Sequence, residues 1–243
     1  ESGSGKTTFG KIIASASGYV PNIPGTKIDY FDYDGLKHDY LNYKLRRKLS
    51  YPIQIIYQDP QFSLNLNMQV KDALQEAINI GKGKTRIKKS YLNKSIDEYS
   101  EYLGLQEVLS NRIDELSGGQ KRRLGVGRVI AAQPRIIIAD EPVASLDASI
   151  KNSIIKLLTW DEDKQFGFLR DKDGNWMDRA ILFISHDIST IDRYCSQILV
   201  FRNGEVLELV ENRLGAGFDC DHEYTKKLNS DYEYFDLTHE YID

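Results

Sequence analysis

The run Arg135-Ile136-Ile137-Ile138-Ala139-Asp140-Glu141-Pro142 limits the fold of this 243-residue chain more than any other stretch. Consecutive apolar residues bounded by charge read as a strand buried on both faces, and such strands belong to parallel sheets covered by helices. Ile181-Leu182-Phe183-Ile184 repeats the pattern, and Ile53-Gln54-Ile55-Ile56-Tyr57 is a further β-rich run that ends at Gln58-Asp59-Pro60. The chain is therefore expected to be α/β with a mostly parallel central sheet. From about Met68 to Val129 the apolar residues recur at helical spacing, first at Val70, Ala73, Leu74, Ala77 and Ile78, later at Tyr99, Leu103, Leu105, Val108 and Leu109. This predicts a mostly helical lobe set into the α/β core. Ile198–Phe201 and Glu205–Leu207, joined through Arg202-Asn203-Gly204, read as a hairpin closed by an Asn-Gly turn.

Three stretches carry chemistry. Glu1 to Thr7 follows the pattern G-x-x-x-x-G-K-[ST] from its second residue onward, and a helix is expected from Lys6 to about Ala16. In such a loop, glycines let backbone N–H groups turn toward phosphate, the lysine reaches the β and γ phosphates, and the hydroxyl binds Mg²⁺. The same residue types also occur in plain flexible loops. Asp140 and Glu141 stand at the end of a buried strand, where one carboxylate can hold a metal and the other can orient and deprotonate a water; a capped strand end has the same appearance. Leu116-Ser117-Gly118-Gly119-Gln120 opens an apolar helical face through Val126, Val129 and Ile130, either as a second anion-binding helix start or as a simple N-cap with a tight turn.

Composition excludes several classes. A formal charge of −4, with 28% charged residues, gives no global pull toward nucleic acid or anionic lipid. Cys195 and Cys220 have no C-x-x-C spacing and suggest neither a disulfide framework nor a zinc site, so inert thiols in a reducing compartment are expected. No apolar stretch approaches the roughly 18 to 20 residues that span a bilayer, and a soluble or at most peripheral protein is expected. Lys82, Lys84, Arg86, Lys88 and Lys89 are expected to form a solvated loop, and Tyr232, Tyr234 and Tyr241 a packed or frayed terminus. The polar segment 160–179 is expected to be a surface insertion.

The string LSGGQ resembles the signature of ATP-binding cassette (ABC) ATPases, and the other landmarks occur in that family's order. Gly3-Ser4-Gly5-Lys6-Thr7-Thr8 resembles the Walker A loop, Gln58 the Q-loop glutamine, and Ile136 to Glu141 the Walker B strand. Ser145-Leu146-Asp147 resembles the D-loop, and His186 in Phe-Ile-Ser-His-Asp the switch histidine. QDPQFSLN after Gln58, EPVASLDASI after Glu141 and HEYTKKL at His222 to Leu228 narrow the resemblance to the cassettes of oligopeptide, dipeptide and nickel importers. Glu223 replaces the proline of the last string, Ala144-Ser145 reverses the more frequent Ser-Ala order, and no C-terminal cysteine cluster calls for an iron–sulfur site.

The resemblance implies a P-loop NTPase of the ABC ATPase type, with residues 1–65 as the first part of the nucleotide-binding core and its first strand missing. It also implies a helical subdomain with the signature at 66–130, the second part of the core at 131–210, and a C-terminal extension at 211–243. ATP and Mg²⁺ are the implied ligands. Ser2, Gly3, Ser4, Gly5, Lys6, Thr7 and Thr8 would hold phosphate, and Thr7, Gln58 and Asp140 would serve the metal. Glu141 would be the general base, with Gln58 and His186 completing the catalytic set. Ser117, Gly118, Gly119, Gln120 and Asp147 would act on the nucleotide of a second cassette, identical or different. The implied assembly adds membrane permease subunits and, indirectly, a solute-binding protein, at the cytoplasmic face of the membrane, with no nucleic acid partner. An ABC ATPase acting on DNA or ribosomes shares the same site and is the alternative. Because the pattern's first glycine would precede Glu1, the 243-residue chain is expected to begin inside its own phosphate loop and to bind nucleotide weakly or not at all.

Overall fold

The computed structural model describes residues 3–14, 27–31, 35–42, 52–59, 63–82, 87–144, 146–163, 166–170, 173, 175, 177–215 and 218–230. The chain divides into two compact units, one of Gly10–Leu182 and one of Glu1–Phe9 with Phe183–Asp243.

In the larger unit, β1 (Asp29–Phe31) and β2 (Lys37–Asp39) form an antiparallel pair in which Tyr30 faces His38. The central sheet has the order β3-β4-β5, with β3 at Ile53–Ile56, β4 at Ile136–Asp140 and β5 at Ala180–Ile184, the last two residues of β5 belonging to the smaller unit. β3 and β4 are parallel in the register Ile53↔Ile136 to Ile56↔Ala139. Ile137, Ile138 and Ala139 are fully buried, as their uninterrupted apolar run requires.

The stretch between β3 and β4 is helical. Helix α2 (Val70–Lys82) buries Val70, Ala73, Leu74, Ala77 and Ile78, the stripe seen in the sequence. Helix α3 (Lys89–Leu103) ends at Gly104, whose φ of 62° lets its amide reach the carbonyls of Glu101 and Ser100. Helix α4 (Gly118–Ala131) crosses α3 so closely that a Cβ on Gly127 would lie 2.3 Å from a Leu103 methyl. Lys82 ends α2 and stacks its ammonium over Tyr91, so part of the basic run is anchored; Lys84 and Arg86 lie outside the described residues. Helix α5 (Ala148–Leu158) follows β4.

The segment 160–179 departs from the expected surface insertion. Phe168 is wholly buried, and its amide donates to the Leu157 carbonyl at 3.0 Å. Phe166 stacks on Tyr102 of α3, with centroids 3.9 Å apart, and meets Tyr99 edge-on. Between them Gly167 lies against the Thr159 carbonyl, 2.2 Å from where a Cβ would sit. Arg179 donates to the Phe168 carbonyl and covers its ring. The charged neighbours set the segment's average polarity, but two aromatic residues around a glycine supply enough apolar surface to bury.

In the smaller unit, α6 (Ile188–Tyr194) is capped by Asp187, and β6 (Gln197–Arg202) pairs antiparallel with β7 (Glu205–Glu211). Asn203 and Gly204 have φ of 51° and 83°, the turn expected from an Asn-Gly pair. The Asn212 amide donates to the carbonyls of Asp192 and Cys195 and so fixes the end of α6. Residues 223–230 are helical, Arg202 lies over the Tyr224 ring, and the tyrosines beyond 230 lie outside the described residues.

Phe168→Ala is expected to lower the unfolding free energy by about 3–5 kcal/mol, measured by equilibrium denaturation. Burial pushes the Cys195 thiol from 9.0 up to about 11. The unfolded chain therefore loses this proton first, and the stability tied to the neutral thiol, complete below pH 9, should fall away as pH rises toward about 11. Thermal unfolding followed across that window should show a shallower alkaline decline for Cys195→Ala than for the native chain.

Candidate functional site

The smaller unit holds the candidate phosphate loop. Gly3 and Gly5 have φ of 84° and 97°, a conformation that a side chain strains, and helix α1 (Lys6–Ile13) starts directly after them. The loop leans on the hairpin turn: the Gly204 amide donates to the Ser4 carbonyl at 2.9 Å, and a Cβ on Gly5 would come within 3.3 Å of the Gly204 Cα. Phe9 of α1 packs on Phe201 of β6. Lys6 donates to the Ser4 hydroxyl at 2.7 Å, while Thr7 and Thr8 are exposed. Two left-handed glycines opening a helix are the backbone geometry that turns N–H groups toward an anion, so these residues fit a phosphate group. Ser2 lies outside the described residues. His186, two residues after the end of β5, lies in the smaller unit, exposed, beside a turn in which the Asp187 amide donates to the Ser185 hydroxyl at 3.0 Å.

The larger unit brings the carboxylates and Gln58 together. The parallel register of β3 and β4 sends Gln58 and Glu141 off the same carboxyl end of the sheet, where ligands of open α/β sheets bind. Asp140 is only 3% exposed at the end of its strand. Glu141 takes φ 47°, a left-handed conformation that costs a glutamate of order 1–3 kcal/mol and that clusters at functional positions. A buried carboxylate at a strand end is a hard oxygen donor of the kind Mg²⁺ uses, and Asp140 fits that ion.

The Arg122 side chain joins these strand ends, although nothing in the sequence reading had given it a role. It is buried on α4, and its Nε donates to the Pro142 carbonyl at 2.8 Å and its Nη2 to the Glu141 carbonyl at 2.6 Å. Its Nη1 reaches the Tyr57 carbonyl at 3.3 Å and also the Gln58 carbonyl. Burial lowers the guanidinium's pKa, and the charge of Asp59 opposes that shift. Helical spacing held the signal: Arg122 falls in line with Val126, Val129 and Ile130 on the apolar stripe, where a charge must find partners. Arg128, farther along α4, donates to the Ser63 carbonyl and pairs with Glu76 at 2.7 Å.

The signature residues form a third group. Ser117 caps α4, its hydroxyl accepting from the Gln120 amide at 3.3 Å while the Gln120 side chain accepts from the Ser117 amide at 2.9 Å. Asp147 caps α5 by accepting from the Ile150 amide at 3.0 Å. A Cβ on Gly119 would lie 3.0 Å from an Ile150 methyl, so the signature and Asp147 are side by side, with Ser117 and Gly118 exposed. Ser145 lies outside the described residues. Among the described residues no cluster of His, Cys, Asp and Glu forms a further metal site, and no helix is long and apolar enough to cross a membrane.

A glycine-opened helix, a capped Ser-Gly-Gly-Gln helix start and an apolar strand ending in paired carboxylates, in this chain order, define a nucleotide-binding P-loop protein of the cassette type. Residues 1–144 match the ABC transporter family, and the chain belongs to it. It is 33% identical over 241 residues to the oligopeptide transport ATP-binding protein OppF of Lactococcus lactis subsp. lactis, an alignment covering 98% of this chain and 68% of that one. The dipeptide transport ATP-binding protein DppF of Lactococcus lactis subsp. cremoris is 33% identical over 95% of this chain and 68% of its own. OppD of Mycobacterium tuberculosis is 34% identical over 94% of this chain, which spans only 34% of that relative's length. Among solved structures, the ATP-binding cassette MJ0796, a dimer in a post-hydrolysis state bound to ADP and Pi, matches with a TM-score of 0.66 and 25% identity over 88% of this chain and 83% of its own. CbiO1 of Clostridium perfringens, part of the transporter complex cbiONQ, matches in fold with a TM-score of 0.63 at 24% identity, over 86% of this chain and 73% of its own. The fold is the α/β fold of ABC ATPases.

Proposed function

We propose that this chain is the ATP-hydrolysing subunit of a transporter, energising import of peptides or a related solute through a separate membrane permease at the cytoplasmic face of the membrane. The observation that carries the reading is the kinship to an oligopeptide transport ATP-binding subunit along 98% of the chain and 68% of the relative. Two cassettes, alike or different, would close over two nucleotides, and a solute-binding protein would deliver cargo to the permease. Residues 1–65 and 131–210 would form the core, 66–130 the helical subdomain and 211–243 an extension.

Phosphoryl transfer to water is chiefly a matter of positioning and charge neutralisation. Gly3, Ser4 and Gly5 present backbone amides to phosphate, with Ser2 and Thr8 beside them, and Lys6 supplies positive charge. Mg²⁺, when bound, supplies charge neutralisation at the phosphate oxygens. Thr7 and Asp140 would be the residues that hold the ion, with Gln58 as a further ligand and as the contact that would sense the permease. Glu141 accepts the proton of the lytic water, and His186 hydrogen-bonds the terminal phosphate. Ser117 to Gln120 and Asp147 serve the nucleotide of the opposite cassette, using the exposed start of α4.

Glu141→Gln keeps the shape of the side chain and removes its basicity. In the full-length protein assembled with its permease it should lower ATP hydrolysis about 10²- to 10⁴-fold while nucleotide binding persists. Uptake of a labelled oligopeptide by cells carrying the variant should fail in parallel. Wild-type hydrolysis would remove Glu141 from the role of base, and unchanged uptake after deletion of the chain would overturn the transport reading.

A further inference from the structure

The Arg122 side chain binds both the segment after β3 and the turn after β4. It is 4% exposed and donates to the carbonyls of Tyr57, Gln58, Glu141 and Pro142. A guanidinium has five N–H donors in a rigid fork, and here the fork spans the two strand ends, with carbonyls of one segment on one side and of the other segment on the other. Holding a charge out of water costs several kcal/mol unless its donors are satisfied, so the arrangement resists rearrangement as a unit. One accepted bond is placed on Glu141 itself, the residue with φ 47°, whose carbonyl also accepts from the Ala144 amide at 3.3 Å. A glutamate leaves the left-handed region when nothing holds it there.

We infer that Arg122 is a positioning residue for hydrolysis: it pins the backbone of Gln58 to that of Glu141, holds Glu141 in its left-handed turn, and so sets where the base stands relative to Gln58. The inference rests on the reading of Glu141 as general base. Because Arg122 is on α4, five residues after Ser117, the helix that carries the signature also carries the pin. Movement of α4 is thereby transmitted to the base through one side chain. Shorter or less branched side chains match this set of acceptors less well. Glutamine offers two donors for four carbonyls, and lysine brings its three donors to a single point.

The test uses steady-state hydrolysis by the full-length protein, with folding checked by thermal unfolding and nucleotide affinity measured separately. Arg122→Gln should lower kcat about 10²-fold, the scale of a displacement of about 1 Å in a catalytic group, while KM changes by less than about threefold. A merely structural loss would move stability and nucleotide affinity along with kcat. The double variant Arg122→Gln with Glu141→Gln should hydrolyse within about twofold of Glu141→Gln alone, since the pin acts through the base. Arg122→Lys keeps the charge and most of the stem and covers the case in which the glutamine variant fails to fold; it should lose about tenfold in kcat. Wild-type kcat in either Arg122 variant, or fully multiplicative losses in the double variant, overturns the inference. If Glu141→Gln itself hydrolyses normally, the reading of the base has failed, which is a different result.

Discussion

The parallel pairing of β3 with β4 is the constraint on which the larger unit depends. Side chains alternate across a strand, so a slip of one residue in the register Ile53↔Ile136 would turn every buried isoleucine to the opposite face. The same register decides which residues leave the sheet together. With Ile56 opposite Ala139, the chain delivers Gln58 and Glu141 at one edge, and the Arg122 fork can reach both. A buried ionised group is tolerated here because carbonyls satisfy it, and those carbonyls are available because neither segment continues as a strand.

The helical lobe is built by close approach. Gly127 lets α4 lie against Leu103 of α3, and Gly81 of α2 would place a Cβ 2.5 Å from the Ala132 carbonyl at the end of α4. These contacts fix α4 laterally, while the capping box of Ser117 and Gln120 fixes its start and Arg122 and Arg128 hold the segment after β3 against it. Phe166 stacks on Tyr102 of α3, and the buried Phe168 is tied by its amide to the Leu157 carbonyl. Lobe and sheet are thus joined by arginine donors on backbone carbonyls.

Much of this was legible in the sequence where a period or a local rule was at work. The runs at Ile53, Ile136 and Ile181 became strands, the stripe from Val70 to Ile78 became a buried helix face, and Asn203-Gly204 became the hairpin turn, because burial and φ requirements act on adjacent residues. Ser117 and Gln120 proved to be a capping box, the plain reading of that string, with the helix start still exposed beside it. Pairings between distant residues were not legible. Nothing near Gly204 announces that its amide meets Ser4, and the burial of Phe168 was masked by the charges around it. Arg122 was half visible: its place on an apolar stripe marks a buried charge, but its four carbonyl partners come from segments just past two strands that only the fold brings near each other.

The contact between the phosphate loop and the hairpin turn also bears on the order in which the protein acquires its shape. Ser4 and Gly204 are bonded across 200 residues of chain. At synthesis rates of about 5–20 residues per second, Ser4 is made about 10–40 s before its partner exists. During that interval the glycines that make the loop competent also leave it free to wander, since glycine populates both signs of φ with ease. The loop gains its last support only once β6 and β7 have paired, a long-range event of the kind that folds slowly. A nascent chain therefore carries the glycines of this loop well before it carries the brace that shapes them.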